Sequence, residues 1–161
     1  KNNNYILIGM PGSGKSTIGV LLAKALGYDF VDTDLVIQQK GGGLLKEIIA
    51  RIGNDGFKQL EEDVNASIDV DKSVIAPGGS AVYSDKAMRH FKEIGTIIYL
   101  KLDYQTVKRR LGNLKARGVV LEKGQTLRDL YNERVPYYAE VILPFSSPYI
   151  HKKHLYESRM H

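Results

Sequence analysis

Gly9-Met10-Pro11-Gly12-Ser13-Gly14-Lys15-Ser16 follows a short apolar run, Tyr5 to Ile8. It precedes Ser16 to Leu26, where Ile18, Leu21, Leu22 and Ala25 recur at helical spacing. The order is strand, glycine-rich loop, helix, and the loop fits the pattern G-x-x-x-x-G-K-[S/T]. Each residue type has a physical task in that pattern. Glycines let backbone N–H groups converge on phosphate oxygens, and the helix N-terminus adds the positive end of its dipole. Lys15 reaches the β- and γ-oxygens, and the Ser16 hydroxyl can ligate Mg²⁺. A chance glycine-rich turn ending in lysine would lack the two flanking elements. The stretch therefore implies a bound nucleoside triphosphate with magnesium.

Outward from the loop, Asp29 to Val31 is a second short strand candidate, with Asp32 and Asp34 where its carboxyl end would lie. Glycines 41 to 43 mark a loop, and the helical stretches Leu44 to Ile52 and Phe57 to Ile68 are broken by Gly53 and Gly56. Ser73 to Ala76 reads as a third strand, and Ser84 as the N-cap of a helix ending near Phe91. Thr96 to Leu102, nearly all apolar and β-branched or aromatic, has the character of a strand buried on both faces of a parallel sheet. A helix over Tyr104 to Leu111 leads into a glycine-punctuated, cation-rich piece, Gly112 to Gly124, read as mobile. Another helix around Thr126 to Tyr138 and a last strand at Glu140 to Leu143 follow. Five strands alternating with helices predict an α/β fold, a five-stranded parallel sheet between two layers of helices. The stretch 144–161 holds Pro144, Pro148 and a His/Lys-rich end without helical period, and is expected to be disordered.

The bulk properties narrow the function class. The 161 residues suit one compact domain, and 43% hydrophobic with 25% charged residues is ordinary for a globular protein. No apolar run reaches the length of a membrane span. Without cysteine there is neither a disulfide framework nor a thiolate metal site. The net charge of +5 is spread among matched acids rather than gathered with aromatics, which favours an anionic small molecule over nucleic acid. With no basic-then-apolar leader, the expectation is a cytoplasmic monomer with no nucleic-acid or membrane partner.

Three further groups of residues bear on chemistry. Asp32 and Asp34 lie two apart, so in an extended segment both carboxylates would point one way, beyond a strand's carboxyl end where ligands gather. One suits magnesium, and the other suits taking a proton from an attacking hydroxyl. Pro77-Gly78-Gly79-Ser80 closes the third strand, where adjacent glycines make a tight turn or admit a ligand to the backbone. Arg109, Arg110, Arg117 and Arg134 supply guanidinium groups able to stack on a base or grip phosphate and carboxylate.

Taken together, the chain resembles the shikimate kinase family, a branch of the P-loop small-molecule kinases, from about Tyr5 to Leu143. The likeness rests on Gly9 to Thr17, Asp32-Thr33-Asp34, Gly53 to Glu62 with its Phe57, Ala76 to Ser80, and Glu133-Arg134-Val135-Pro136-Tyr137-Tyr138. It implies ATP and Mg²⁺ as cofactors and phosphorylation of shikimate to shikimate 3-phosphate, a step of aromatic amino acid biosynthesis. Gly12, Ser13, Gly14, Lys15, Ser16, Thr17 and Arg110 would then hold the nucleotide, with Ser16 and Asp32 in the magnesium shell. Asp34, Lys58, Gly78, Gly79 and Arg134 would hold the acceptor. Lys15, Asp34 and Arg117 would carry catalysis, Arg117 arriving with a lid at about 112–124, and a helical segment at about 32–62 would bind substrate. The family pattern usually has arginine at the place of Lys58, a third glycine at Ser80 and proline at Gly118. A kinase of gluconate or homoserine and a nucleotide-dependent switch are the rival readings. Against the switch, the sequence holds no Asn-Lys-x-Asp guanine-reading motif.

Overall fold

The computed structural model describes residues 3–111 and 121–142. Four strands, β1 (Asn4–Ile8), β2 (Asp29–Asp32), β3 (Ser73–Ala76) and β4 (Gly95–Tyr99), form a parallel sheet in the order β2-β3-β1-β4. The helices are α1 (Lys15–Leu26), α2 (Thr33–Gly41), α3 (Leu45–Ala66), α4 (Asp85–Ile94), α5 (Tyr104–Arg110) and α6 (Leu127–Ile142), with a 3₁₀ turn at Gly79–Tyr83.

Strand alternation accounts for the layers. Ile6 and Ile8 of β1 and Ile75 of β3 pack with Ala87, Met88 and Phe91 of α4, Val107 of α5, and Leu130 and Tyr138 of α6. The intervening residues Leu7 and Val74 face the other way, onto Ala23 of α1 and Phe30. One face of the sheet thus carries α1 and the other carries α4 to α6. A third cluster, Ile37, Ile48 and Val64, joins α2 to α3 away from the sheet. Parallel pairing, in register from Asn4↔Gly95 to Ile8↔Tyr99 and from Phe30↔Val74 to Asp32↔Ala76, brings every strand's carboxyl end to one edge. That edge is where an open α/β sheet binds its ligands.

The sheet's opposite end is fastened by one side chain. Asn4, 2% exposed, donates through Nδ2 to the carbonyls of Val70 (2.8 Å) and Ile94 (2.9 Å) and accepts from the Ser73 N–H (3.0 Å). Asn4→Ala takes one donor from the Val70 and Ile94 carbonyls and the acceptor from the Ser73 N–H, at about 1–3 kcal/mol for a group stranded from water. We expect a loss of about 3 kcal/mol and a melting temperature lower by about 10 °C in calorimetry. A change under about 2 °C would show that water replaces the amide at no cost.

The structure departs from the sequence expectations in four places. The fifth strand is absent among the described residues, because Glu140, Val141 and Ile142 continue α6. The buried positions Leu127, Leu130, Arg134, Val135, Tyr138 and Ala139 keep helical spacing up to that run, and three residues cannot reset it. Leu143 lies outside the described residues. Second, β4 is shorter than expected and only half-buried, with Thr96 exposed. It has β1 as its sole strand partner among the described residues, so it stands at an edge rather than inside the sheet. Third, α2 occupies residues where apolar spacing gave no helix, although the family resemblance placed them in a helical segment. Fourth, the break expected at Gly53 and Gly56 is confined to Gly53, whose φ 77° and ψ 173° suit only glycine. Most of the expected lid, 112–120, and the whole stretch 144–161 lie outside the described residues.

Candidate active site

The loop after β1 ends in Gly14, which caps α1 in a left-handed conformation (φ 93°, ψ 16°) and offers no capping side chain. The first N–H groups of α1 therefore stay available to an anion, with the helix dipole behind them. Lys15 folds back over the loop, donating from Nζ to the carbonyls of Gly9 (2.8 Å) and Met10 (3.0 Å). Burial, aided by the nearby Arg134 cation and opposed by Asp34, lowers its pKa to about 8. A lysine so desolvated holds its proton weakly until phosphate oxygens arrive. Arg110 stands at the mouth of the loop, its Nη1 donating to Gly12 O at 3.4 Å. The Ser13 hydroxyl is buried without a hydrogen-bond partner among the described residues.

Asp32 and Asp34 reach the same edge by a route other than a continued strand. The chain turns helical at Thr33, and Asp32 caps α2 by accepting from the Asp34 N–H at 2.9 Å. Asp34 sits in the first turn with its Oδ1 toward Gly78, 3.3 Å from where a β-carbon on that glycine would lie. Burial first, and then the neighbouring Asp32 charge, raise its pKa, while Lys15 opposes the rise. A carboxyl held above its ordinary range is a better proton acceptor.

The far wall depends on Gly79. A β-carbon there would meet Arg134 Nη1 at 2.5 Å, so the absence of a side chain lets the guanidinium lie against the backbone. Tyr138 donates its hydroxyl to Gly79 O (2.8 Å) and fixes that stretch. Arg134, 7% exposed, lies 5.5 Å over the Tyr83 ring, and its Nε has no partner among the described residues. Lys58 is exposed on α3 and lines the same cavity.

One open cavity of about 1190 Å³ is bordered by Gly12, Gly14, Lys15, Ser16, Thr17, Asp32, Asp34, Lys58, Gly78, Gly79, Arg110 and Arg134. It exceeds the ~300–1,000 Å³ common for one small ligand and has room for two. Of the residues anticipated from sequence, Ser13 is buried and does not line the cavity, and Arg117 is outside the described residues. Glu61, Ser80 and Tyr83 also line the cavity. The first could have been found by spacing, because positions 58 and 61 share a helix face.

The sequence model of the shikimate kinase family matches residues 11–153. The chain belongs to the shikimate kinase family. A shikimate kinase of Mycobacterium ulcerans is 38% identical over 139 residues, covering 84% of this chain and 75% of that one. One from Moorella thermoacetica is 36% identical over 140 residues, 84% and 80% of the two chains. Among solved structures, a shikimate kinase from Acinetobacter baumannii in complex with shikimate superposes with a TM-score of 0.77 at 29% identity, covering 98% of this chain and 91% of that one.

A shikimate kinase takes ATP and Mg²⁺, and the donors present fit that pair. Ser16 and Asp32 offer hard oxygen donors beside the phosphate loop. Among the described residues no cluster of three or more metal-binding side chains exists. Mg²⁺ keeps waters and substrate phosphates in most of its coordination sites, so two protein oxygens suffice to hold it.

The lowered pKa of Lys15 makes nucleotide binding depend on pH. Phosphate oxygens favour the ammonium form, so the pKa rises on binding and a proton is taken up. Affinity is then fully present below about pH 8 and falls as pH rises through that value. Calorimetry at pH 8 in two buffers of different ionisation enthalpy should register net proton uptake with ATP and Mg²⁺. Identical heats in the two buffers would contradict it.

Proposed function

We propose that this kinase transfers the γ-phosphoryl group of ATP to a hydroxyl of shikimate, giving shikimate 3-phosphate. The observation that carries the reading is one cavity holding a phosphate loop at one end and the Asp34, Gly79 and Arg134 wall at the other. Asp34 accepts the proton as the acceptor oxygen attacks, and its raised pKa suits that task near neutral pH. Lys15 leaves its loop carbonyls for the phosphate oxygens and stabilises the charge that spreads over them. Mg²⁺, held at Ser16 and Asp32, would neutralise β- and γ-phosphate charge. Arg134 grips the shikimate carboxylate with its planar fork and Lys58 adds a second positive charge, while Gly78 and Gly79 admit the ring to the backbone. Arg110 packs on the adenine, and Arg117 comes in with the lid at 112–124, the acceptor being held by the segment 32–62. In this reading the chain forms one domain over 1–161.

The assay is coupled ADP release with ATP and Mg²⁺, run with shikimate, gluconate, homoserine and no acceptor. Shikimate-dependent release with a KM between about 1 μM and 1 mM supports the proposal. Turnover with gluconate or homoserine alone refutes it. We read the working unit as a cytoplasmic monomer acting on a small molecule and binding neither nucleic acid nor membrane. No helix among the described residues is long and apolar enough to cross a membrane.

A further inference from the structure

Glu61 is an acid in a place that should repel it. Only 8% exposed on α3, it faces Asp34 from α2, Arg134 from α6, Ser80 from the 3₁₀ turn and Lys58 from its own helix. A carboxylate removed from water needs donors. Lys58, three residues earlier on the same helix, is the obvious source, yet among the described residues it forms no ion pair with Glu61. The donor is Ser80, whose hydroxyl proton is shared between Oε1 (2.7 Å) and Oε2 (2.9 Å). Glu61 Oε2 and Asp34 Oδ1 then approach the same side of Gly78, 3.5 and 3.3 Å from where its β-carbon would be. Burial raises the Glu61 pKa, and the Ser80 hydrogen bond is the largest influence opposing that rise.

We propose that Ser80 is a positioning residue that holds the Glu61 carboxylate against the Gly78 backbone and so leaves the Lys58 ammonium free to meet an anionic group on the acceptor. The proposal deepens the acceptor site described above and rests on that reading for its kinetic consequence. A serine hydroxyl is neutral, so it satisfies the buried acid without spending the cation that the pocket needs. Without that hydroxyl Glu61 draws Lys58 or Arg134 across, or it takes up a proton, and each outcome weakens the acceptor pocket without touching the phosphate loop.

Ser80→Ala is expected to raise KM for the acceptor about tenfold, the scale of one hydrogen bond to a charged group, with kcat changed less than about threefold. KM for ATP should stay within about twofold. Carboxyl ¹³C NMR on the free protein should show the Glu61 titration displaced in Ser80→Ala, upward where the acid takes up a proton and downward where it draws a cation across, and near its wild-type pH in Ser80→Thr, which keeps a hydroxyl. In a Glu61→Gln background, Ser80→Ala should add less than about a twofold change. An unmoved Glu61 titration in Ser80→Ala, or kinetic effects of Ser80→Ala and Glu61→Gln that simply multiply, would overturn the proposal. The NMR arm needs no acceptor, so it separates two failures. Wild-type protein inactive with shikimate refutes the acceptor identity, whereas an unmoved titration refutes the role of Ser80.

Discussion

Lys15→Met is expected to lower kcat/KM for phosphoryl transfer by about a thousandfold or more while leaving the protein folded. Methionine keeps most of the length and all of the apolar character of the lysine stem but brings no charge to the phosphate oxygens. The transition state for phosphoryl transfer carries its charge on those oxygens, so the loss falls on kcat as well as on nucleotide affinity. Folding should tolerate the change, because the native ammonium is itself desolvated, with a pKa lowered to about 8. The buried Gly9 and Met10 carbonyls lose that donor, a cost set against the relief of no longer burying an ammonium group. A thermal melt within about 3 °C of wild type, beside absent turnover, is the expected pair of results. Retention of more than about a tenth of wild-type kcat/KM would remove Lys15 from the catalytic set.

Asp34→Asn should lower kcat by about a thousandfold, within the ~10²–10⁴ range of general-base contributions. The substitution is clean because the hydrogen bond at the start of α2 uses the backbone N–H of residue 34, which asparagine keeps, while Asp32 supplies the acceptor oxygen. The amide fills the same space beside Gly78 but cannot take a proton. In the wild type, the acid limb of kcat/KM against pH, which reports the free enzyme, should lie above the ordinary carboxylate range. Burial raises the Asp34 pKa, with the Asp32 charge adding to the rise. Activity is then present above that raised pKa and lost as pH falls through it. The limb should vanish from the residual activity of Asp34→Asn. A variant that kept the wild-type limb would assign the base to another group.

How much of this was readable in the chain depends on what each residue meets in space. The phosphate loop was legible because its glycines, lysine and flanking apolar periods are all local. Strand β3 was found at its observed limits, since Ser73 to Ala76 is an apolar run between polar turns. Helix α2 was missed by apolar periodicity, though covered by the helical segment that the resemblance implied, because only Thr33 and Ile37 of its nine residues are buried and leave no apolar stripe to count. The run Glu140 to Ile142 looked like a strand because three residues cannot distinguish the end of a helix from the start of a strand. Arg134 stood out only through the likeness to a family. The spacing from Lys58 puts Glu61 on the cavity's helix face, but its burial was hidden for a different reason. In sequence it belongs to Glu61-Glu62-Asp63, which reads as a solvated helix face, and only the packing of α3 against the 3₁₀ turn shows that the first of these acids is buried.

The most direct measurement of the central claim is a single-turnover reaction of the protein with shikimate, Mg²⁺ and ATP labelled in the γ-phosphoryl group, quenched and read by mass spectrometry. The account predicts shikimate carrying one labelled phosphoryl group, formed in step with ADP. Labelled inorganic phosphate beside unmodified shikimate would contradict it, because the cavity would then bind nucleotide without presenting shikimate to the γ-phosphoryl group.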